Sequence, residues 1–288
     1  MAYVIAPDLE LGLVSLKVSN LDRSLDYYSN VIGLKLLTRE GTRAELTVDG
    51  DSALVELVEV ADAVITPPRT RAGLYHFAIL VPDRVSLGLC LNHLVQQGER
   101  IGQADHLVSE ALYLTDPDGN GIEIYRDRPR ETWQTDADGQ VRMTTDPIDW
   151  EGLLAEAGAS AQQWSGMPAG TKIGHVHLHV GDLEQARQFY CELLGFEIMA
   201  NMSSWGVLFV AAGGYHHHLG LNIWAGRNIP APPANGTGLG FFTVCLPNAQ
   251  ALDEIVQRIE ATGIEIYRRG IAYEVKDPFG TFIRLQSR

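Results

Sequence analysis

Apolar positions in this chain mostly alternate with polar ones in short runs, and between the runs the period lengthens to that of a helix. From Leu11, LGLVSLKVSNLDRSLDYYSNVIGLKLL reads as a strand, a turn, a short amphipathic helix, a Leu-Gly turn and a second strand. From Ile173, IGHVHLHVGDLEQARQFYCELLGFEIM reads the same way. Asn20 and Asp182 stand at matching helix N-termini, where a side-chain oxygen can cap free amides. Tyr28 matches Tyr190, and Gly33 matches Gly195. A second pair of segments, GLYHFAILVPDRVSLGLCLNHLVQQG from Gly73 and GLGFFTVCLPNAQALDEIVQRIEATG from Gly238, each predicts a strand and then a helix ending in glycine. Each is followed by a strand and a DPxG hairpin, turning at Asp116 and Asp277. The first hairpin, SEALYLTDPDGNGIEIY (Ser109–Tyr125), places a lone acid, Glu123, between two isoleucines.

The pattern therefore predicts an α+β fold of four βαβββ units, at 11–60, 73–127, 173–224 and 238–287. The segment 128–169 is rich in polar, Gly and Pro residues and holds one helix candidate, DWEGLLAEA. It reads as a connector between a first domain at 10–127 and a second at 170–288.

Composition narrows the class. Apolar residues make up 45% and charged residues 20%, which is globular composition. No run reaches 18 uninterrupted apolar residues, and the N-terminal stretch lacks a basic n-region and an apolar core. No membrane span and no signal peptide are expected. The net charge of −14, with no basic stripe to offset it, argues against nucleic-acid or anionic-membrane partners. Cys90, Cys191 and Cys245 fit neither a metal spacing nor a disulfide framework, so a reducing cytoplasm is the expected location.

Paired βαβββ units with these turns resemble the vicinal oxygen chelate superfamily, which includes glyoxalase I, fosfomycin and bleomycin resistance proteins and extradiol dioxygenases. The resemblance covers nearly the whole chain apart from the connector. It implies that paired units curl into cup-shaped mixed sheets, each able to hold a divalent metal with ligands from the first and last strands of a unit. At the first-strand position the four units carry Leu13, His76, His175 and Phe241. At the last-strand position they carry Glu56, Glu123, either Gly220 or Asn222, and Arg284. Leu, Phe and Arg are not normal ligands, which leaves His76, Glu123 and His175. Two histidines and one carboxylate form the facial triad of non-haem Fe(II) oxygenases, with Mn(II) as the alternative metal. Such a triad requires units 2 and 3 to pair, and units 1 and 4. Glu56 is then left over, either solvated or paired with Arg284.

HLVSEALYLTDPDGNGIE, from His106 to Glu123, is similar to the extradiol dioxygenase signature; Ala104, just before it, departs from the usual set. The similarity implies that Glu123 is a ligand, Tyr113 a hydrogen-bond donor near the substrate oxygens and His106 a pocket residue. His175, His177 and His179 alternate and share one strand face, which puts His177 in the cup beside the ligand. In GGYHHHLGLNIW, Leu219, Leu221 and Ile223 alternate as the helix-facing side, leaving His218, Gly220 and Asn222 toward the cup. An acid–base histidine is expected in this run; parity favours His218 and family spacing favours His217. The implied activity is cleavage of a catechol by O₂, in a homo-oligomer. Rival readings are a glyoxalase-like lyase or isomerase and a non-catalytic small-molecule binding or resistance protein.

Overall fold

The computed structural model describes residues 3–288. Unit 1 supplies β1 (Glu10–Val18), α1 (Leu21–Asp26), β2 (Lys35–Glu40), β3 (Arg43–Thr47) and β4 (Ala53–Glu59). Unit 2 supplies β5 (Gly73–Leu80), α2 (Arg84–Gln96), β6 (Gly102–Asp105), β7 (Ser109–Thr115) and β8 (Gly121–Asp127). In the connector, Trp150–Ala159 forms α3. Unit 3 contains β9 (Lys172–His179), α4 (Leu183–Arg187), β10 (Glu197–Met202), β11 (Val207–Ala211) and β12 (Leu219–Asn222). Unit 4 contains β13 (Gly238–Leu246), α5 (Ala249–Ala261), β14 (Ile266–Arg269), β15 (Ala272–Lys276) and β16 (Phe282–Ser287).

These strands form two eight-stranded mixed sheets. One has the order β14-β15-β16-β13-β1-β4-β3-β2, and the other β10-β11-β12-β9-β5-β8-β7-β6. The first is made of units 1 and 4 and the second of units 2 and 3. The boundaries at 128 and 170 divide the sequence into repeat halves, while each sheet takes one unit from each half. Among the described residues no helix is long and apolar enough to cross a membrane.

Each main helix starts on an Asx cap at the equivalent place. Asn20, Asp83, Asp182 and Asn248 each accept a hydrogen bond from the amide three residues on, at 2.8–2.9 Å. Strand alternation then sorts the faces of the second sheet. Phe77, Ile79, Ile122, Ile124, Val176 and Leu178 enter the apolar core with Leu87 and Leu91 of α2. The other face presents the buried polar residues His76, Glu123, His175, His177 and His179.

A buried clamp joins the sheets. The Tyr28 hydroxyl, beyond α1, donates to Asp116 Oδ2 at 3.0 Å. Asp116 is the first residue of the DPDG turn; its Oδ1 accepts the amides of Asp118 and Asn120 at 2.9 and 2.8 Å. The second half repeats the device: Tyr190 donates to Asp277 Oδ2 at 2.8 Å, and Asp277 Oδ1 takes the amides of Phe279 and Thr281. In each case a unit in one sheet grips the turn of a unit in the other. Removing a buried donor to a carboxylate costs about 1–3 kcal/mol. Tyr28→Phe is therefore expected to lower the urea midpoint without changing the slope. An unchanged midpoint would show that the clamp contributes nothing to stability.

Candidate metal centre

The triad assembles on the polar face of the second sheet. In the ladder, Ala78 of β5 pairs with Glu123 of β8 on one side and with His175 of β9 on the other. Its small side chain leaves room for the two larger groups to converge above it. His76 lies two residues earlier on the same face. Nε2 of His76 and Nε2 of His175 each stand 3.0 Å from the same oxygen, Glu123 Oε2. All three residues are buried, and a donor atom from each lies within 4.8 Å of the others.

His175 Nε2 is hydrogen-bonded to Glu123, but His76 Nε2, at the same distance, is misaligned and has no hydrogen-bond partner among the described residues. Two imidazoles therefore converge on one oxygen, and one nitrogen is left unsatisfied. A cation at that focus satisfies all three donors, so the residues fit a divalent metal. Burial pushes the Glu123 carboxyl up, but the two histidines outweigh it and hold the group ionised. Burial keeps His175 below its usual value and so neutral. Anionic carboxylate and neutral imidazole are the metal-binding forms.

Tyr113 pairs directly with Glu123 across the hairpin. Burial, followed by the nearby Glu123 charge, pushes its hydroxyl well above the usual value, so it stays protonated. His106 Nε2 lies 2.7 Å from the Tyr113 hydroxyl, and His106 Nδ1 lies 2.5 Å from the carbonyl of Thr144. A carbonyl only accepts, so Nδ1 carries the proton and, in the neutral ring, Nε2 accepts from Tyr113. Thr144 belongs to the connector, whose part in the site periodicity does not reveal.

His177 lies beside the triad, its ring 5.0 Å from that of His76, and its Nε2 is buried without a partner among the described residues. Gly220 faces it in the ladder; a Cβ there would lie 2.7 Å from the His177 ring. Gly220 thus makes space for the ring. Gly220 has no side-chain donor, and Asn222 Oδ1 accepts from His179 Nδ1 at 2.7 Å. The histidine run separates clearly. The His217 ring centroid lies 4.1 Å from that of His175, with the planes tilted, and 4.8 Å from that of Phe209, edge to face. His218 instead accepts the Ala212 amide on Nδ1 and lines a separate cavity of about 370 Å³ with Lys172 and Tyr215. The regular strand begins only at Leu219, so strand parity has no fixed phase at His218. Burial holds both rings low, His218 to about 3.

Tyr75, Phe209 and Trp224 complete the wall, with rings 5.2–5.7 Å from that of His177. Their alternation resembles that of core aromatics, so sequence alone does not single them out. Asp127, by contrast, has a readable signal: it lies four residues after Glu123 on the same strand face.

The other cup differs. Glu56 is neither solvated nor paired with Arg284: it is buried and paired with Arg43 from the neighbouring strand. Arg284 binds Glu274 at 3.0 Å and lies over the Phe241 ring, 3.4 Å from its centroid. Among the described residues no second metal-ligand cluster forms.

The fold and this site define a class. The family model described as the Glyoxalase/Bleomycin resistance protein/Dioxygenase superfamily matches residues 10–124 and 172–285. The chain belongs to that superfamily. A catechol-2,3-dioxygenase of Bacillus subtilis (strain 168) is 51% identical over 271 residues, covering 94% of each chain. A lactoylglutathione lyase of Neisseria meningitidis is 33% identical over 122 residues, covering 38% of this chain and 84% of that one. Among solved structures, glyoxalase I of Zea mays aligns with a TM-score of 0.54 at 18% identity, covering 96% of this chain and 92% of that one. A Bacillus subtilis protein aligns with a TM-score of 0.66 at 11% identity, covering 99% and 86%.

Glu123→Gln removes the anionic donor and is expected to lower bound divalent metal from one ion per chain to a small fraction, measured by metal analysis after dialysis. The fold should survive by circular dichroism. Glu56→Gln should leave metal content unchanged. Full metal content in Glu123→Gln would remove Glu123 from the ligand set.

Proposed function

We propose that the protein is an extradiol dioxygenase that opens a catechol beside its diol with O₂, at Fe(II) held by His76, Glu123 and His175. The carrying observation is the convergence of both Nε2 atoms on one Glu123 oxygen inside a polar, buried cup. The relative that shares 51% identity over 94% of the chain supports the same reading. When bound, a two-histidine, one-carboxylate Fe(II) leaves positions open for the diol oxygens and for O₂ and passes electrons between them.

The chain's own residues do the rest. His217, its ring 4.1 Å from that of His175, is placed to take a proton from a catechol hydroxyl and return it as the ring opens. Burial below its usual pKa makes it a neutral acceptor at rest. Acid–base help of this kind is worth about 10²–10⁴-fold. Tyr113 keeps its proton and stands beside Glu123, ready to donate to an oxygen that gains charge. At rest that hydroxyl is held by His106 Nε2 at 2.7 Å, and donating forward means exchanging this partner for the substrate oxygen. The rings of Tyr75, Phe209 and Trp224 restrict water around the histidines. A homo-oligomer is part of the proposal by family habit. A lyase of the glyoxalase kind gains no support from a site with a single carboxylate.

The test is O₂ uptake with catechol by Fe(II)-loaded protein, with the ring-opened semialdehyde identified by its gain of two oxygen atoms. Absence of uptake with catechol and its substituted forms would sink the proposal. Tyr113→Phe and His217→Gln should retain metal and lower kcat by about 10²-fold or more, with KM changing less, because both groups act on developing charge. An unaltered kcat in either would strip that residue of its role.

A further inference from the structure

Behind His217 lies a chain of hydrogen bonds that catechol chemistry alone does not call for. His217 Nδ1 lies 2.8 Å from His216 Nδ1. His216 Nε2 lies 2.7 Å from Asp127 Oδ1. Asp127 Oδ2 accepts from the Tyr215 hydroxyl at 2.9 Å, and Tyr215 meets the Tyr125 hydroxyl at 2.7 Å. The His216 side chain is fully buried, with Trp133 and Tyr215 ring centroids 5.1 and 4.1 Å away. Gly174 keeps the path open on the Tyr125 side, since a Cβ there would lie 1.8 Å from the Tyr125 oxygen. Asp127 is the partly exposed end, lining the cavity of about 370 Å³ with Lys172 and Arg130.

We propose that Asp127 and His216 are positioning residues that lock His217 in the tautomer protonated on Nδ1, with Nε2 as the free base toward the metal cup. The inference rests on the acid–base role given to His217 above and adds how that role is prepared. The logic runs from the carboxylate inward. Asp127 only accepts, so His216 Nε2 carries a proton. In its neutral form His216 then has its lone pair on Nδ1. Two facing nitrogens at hydrogen-bond distance need one proton between them, so His217 Nδ1 supplies it. His217 Nε2 is left with a lone pair, and among the described residues nothing bonds to it. A carboxylate that fixes a catalytic imidazole's tautomer in this manner can be worth about 10⁴-fold in kcat; here it acts through one intervening ring.

The experiment uses the full chain, labelled with ¹⁵N-histidine and loaded with diamagnetic Zn(II). Expected are a scalar coupling between the two Nδ1 atoms of His216 and His217, a protonated His216 Nε2 and an unprotonated His217 Nε2. A proton on His217 Nε2, or no coupling between the two rings, overturns the proposal. Asp127→Ala should abolish the coupling and, in the Fe(II) enzyme, lower kcat about 10²–10⁴-fold with KM shifted far less. Tyr215→Phe removes the other Asp127 contact and should keep the coupling. Its loss in that variant would mean that packing, not the carboxylate, orders the rings, and would also overturn the proposal. The spectrum reads the tautomer without turnover, so the His217→Gln kinetics judge the acid–base reading separately.

Discussion

The buried hydrogen bond from Tyr28 to Asp116 is the constraint on which the geometry of the site depends. Asp116 opens the turn between β7 and β8, and those strands carry Tyr113 and Glu123 at directly paired positions. The carboxyl is satisfied on every side, by two backbone amides, the Asn120 amide and the tyrosine. Nearby, Ser19 and Arg23 bind Asp118 of the same turn. Unit 1 thus donates nothing to the metal centre yet holds the hairpin that does. This arrangement also explains why a crossed fold is cohesive. The strands pair unit 1 with 4 and 2 with 3, while the tyrosine clamps tie 1 to 2 and 3 to 4, so each unit is held by two different neighbours.

Much of this organisation is legible in the chain because the repeat carries it. Once four units are aligned, Leu13 and Phe241 stand where His76 and His175 do, and the ligand question becomes one of side-chain chemistry. Strand parity also separates the core-facing Val176 and Leu178 from the polar His175 and His177. It fails where the backbone is irregular. His216, His217 and His218 precede β12 and follow a Gly-Gly turn with both glycines at positive φ, so alternation has no fixed phase there. Three identical side chains in a row also remove the compositional contrast on which periodicity depends. The connector is opaque for a related reason: Thr144 acts through its carbonyl and Trp133 through packing on His216, and neither leaves a mark in composition.

The two cups began from one plan and resolve the same physical problem in opposite ways. A concave sheet face with a carboxylate at its centre must neutralise that charge, because an unpaired buried charge is costly. In the cup of units 1 and 4, protein cations do so: Arg43 reaches Glu56, while Arg284 and Arg269 share Glu274. Phe241 completes the replacement by carrying the Arg284 guanidinium on its ring. In the cup of units 2 and 3, among the described residues, no Arg or Lys forms an ion pair with Glu123, which faces the imidazoles of His76 and His175. The contrast argues that the histidines are retained for something a guanidinium cannot do, since arginine has no lone pair to offer a metal.

The same reasoning separates what each histidine contributes. His76 and His175 present nitrogens to a shared focus, and His106 and His216 are each bound by oxygen acceptors that fix which nitrogen is protonated. An imidazole between two fixed partners has its orientation determined at no cost to the partner that faces the cup. Tyr113 and His217 thus stand at the inner ends of two hydrogen-bonded columns, one anchored on the Thr144 carbonyl and the other on Asp127. Both columns are built largely from residues outside the triad. On the proposed reading, the triad supplies charge and lone pairs to a metal, and the residues behind it set the direction in which each proton points.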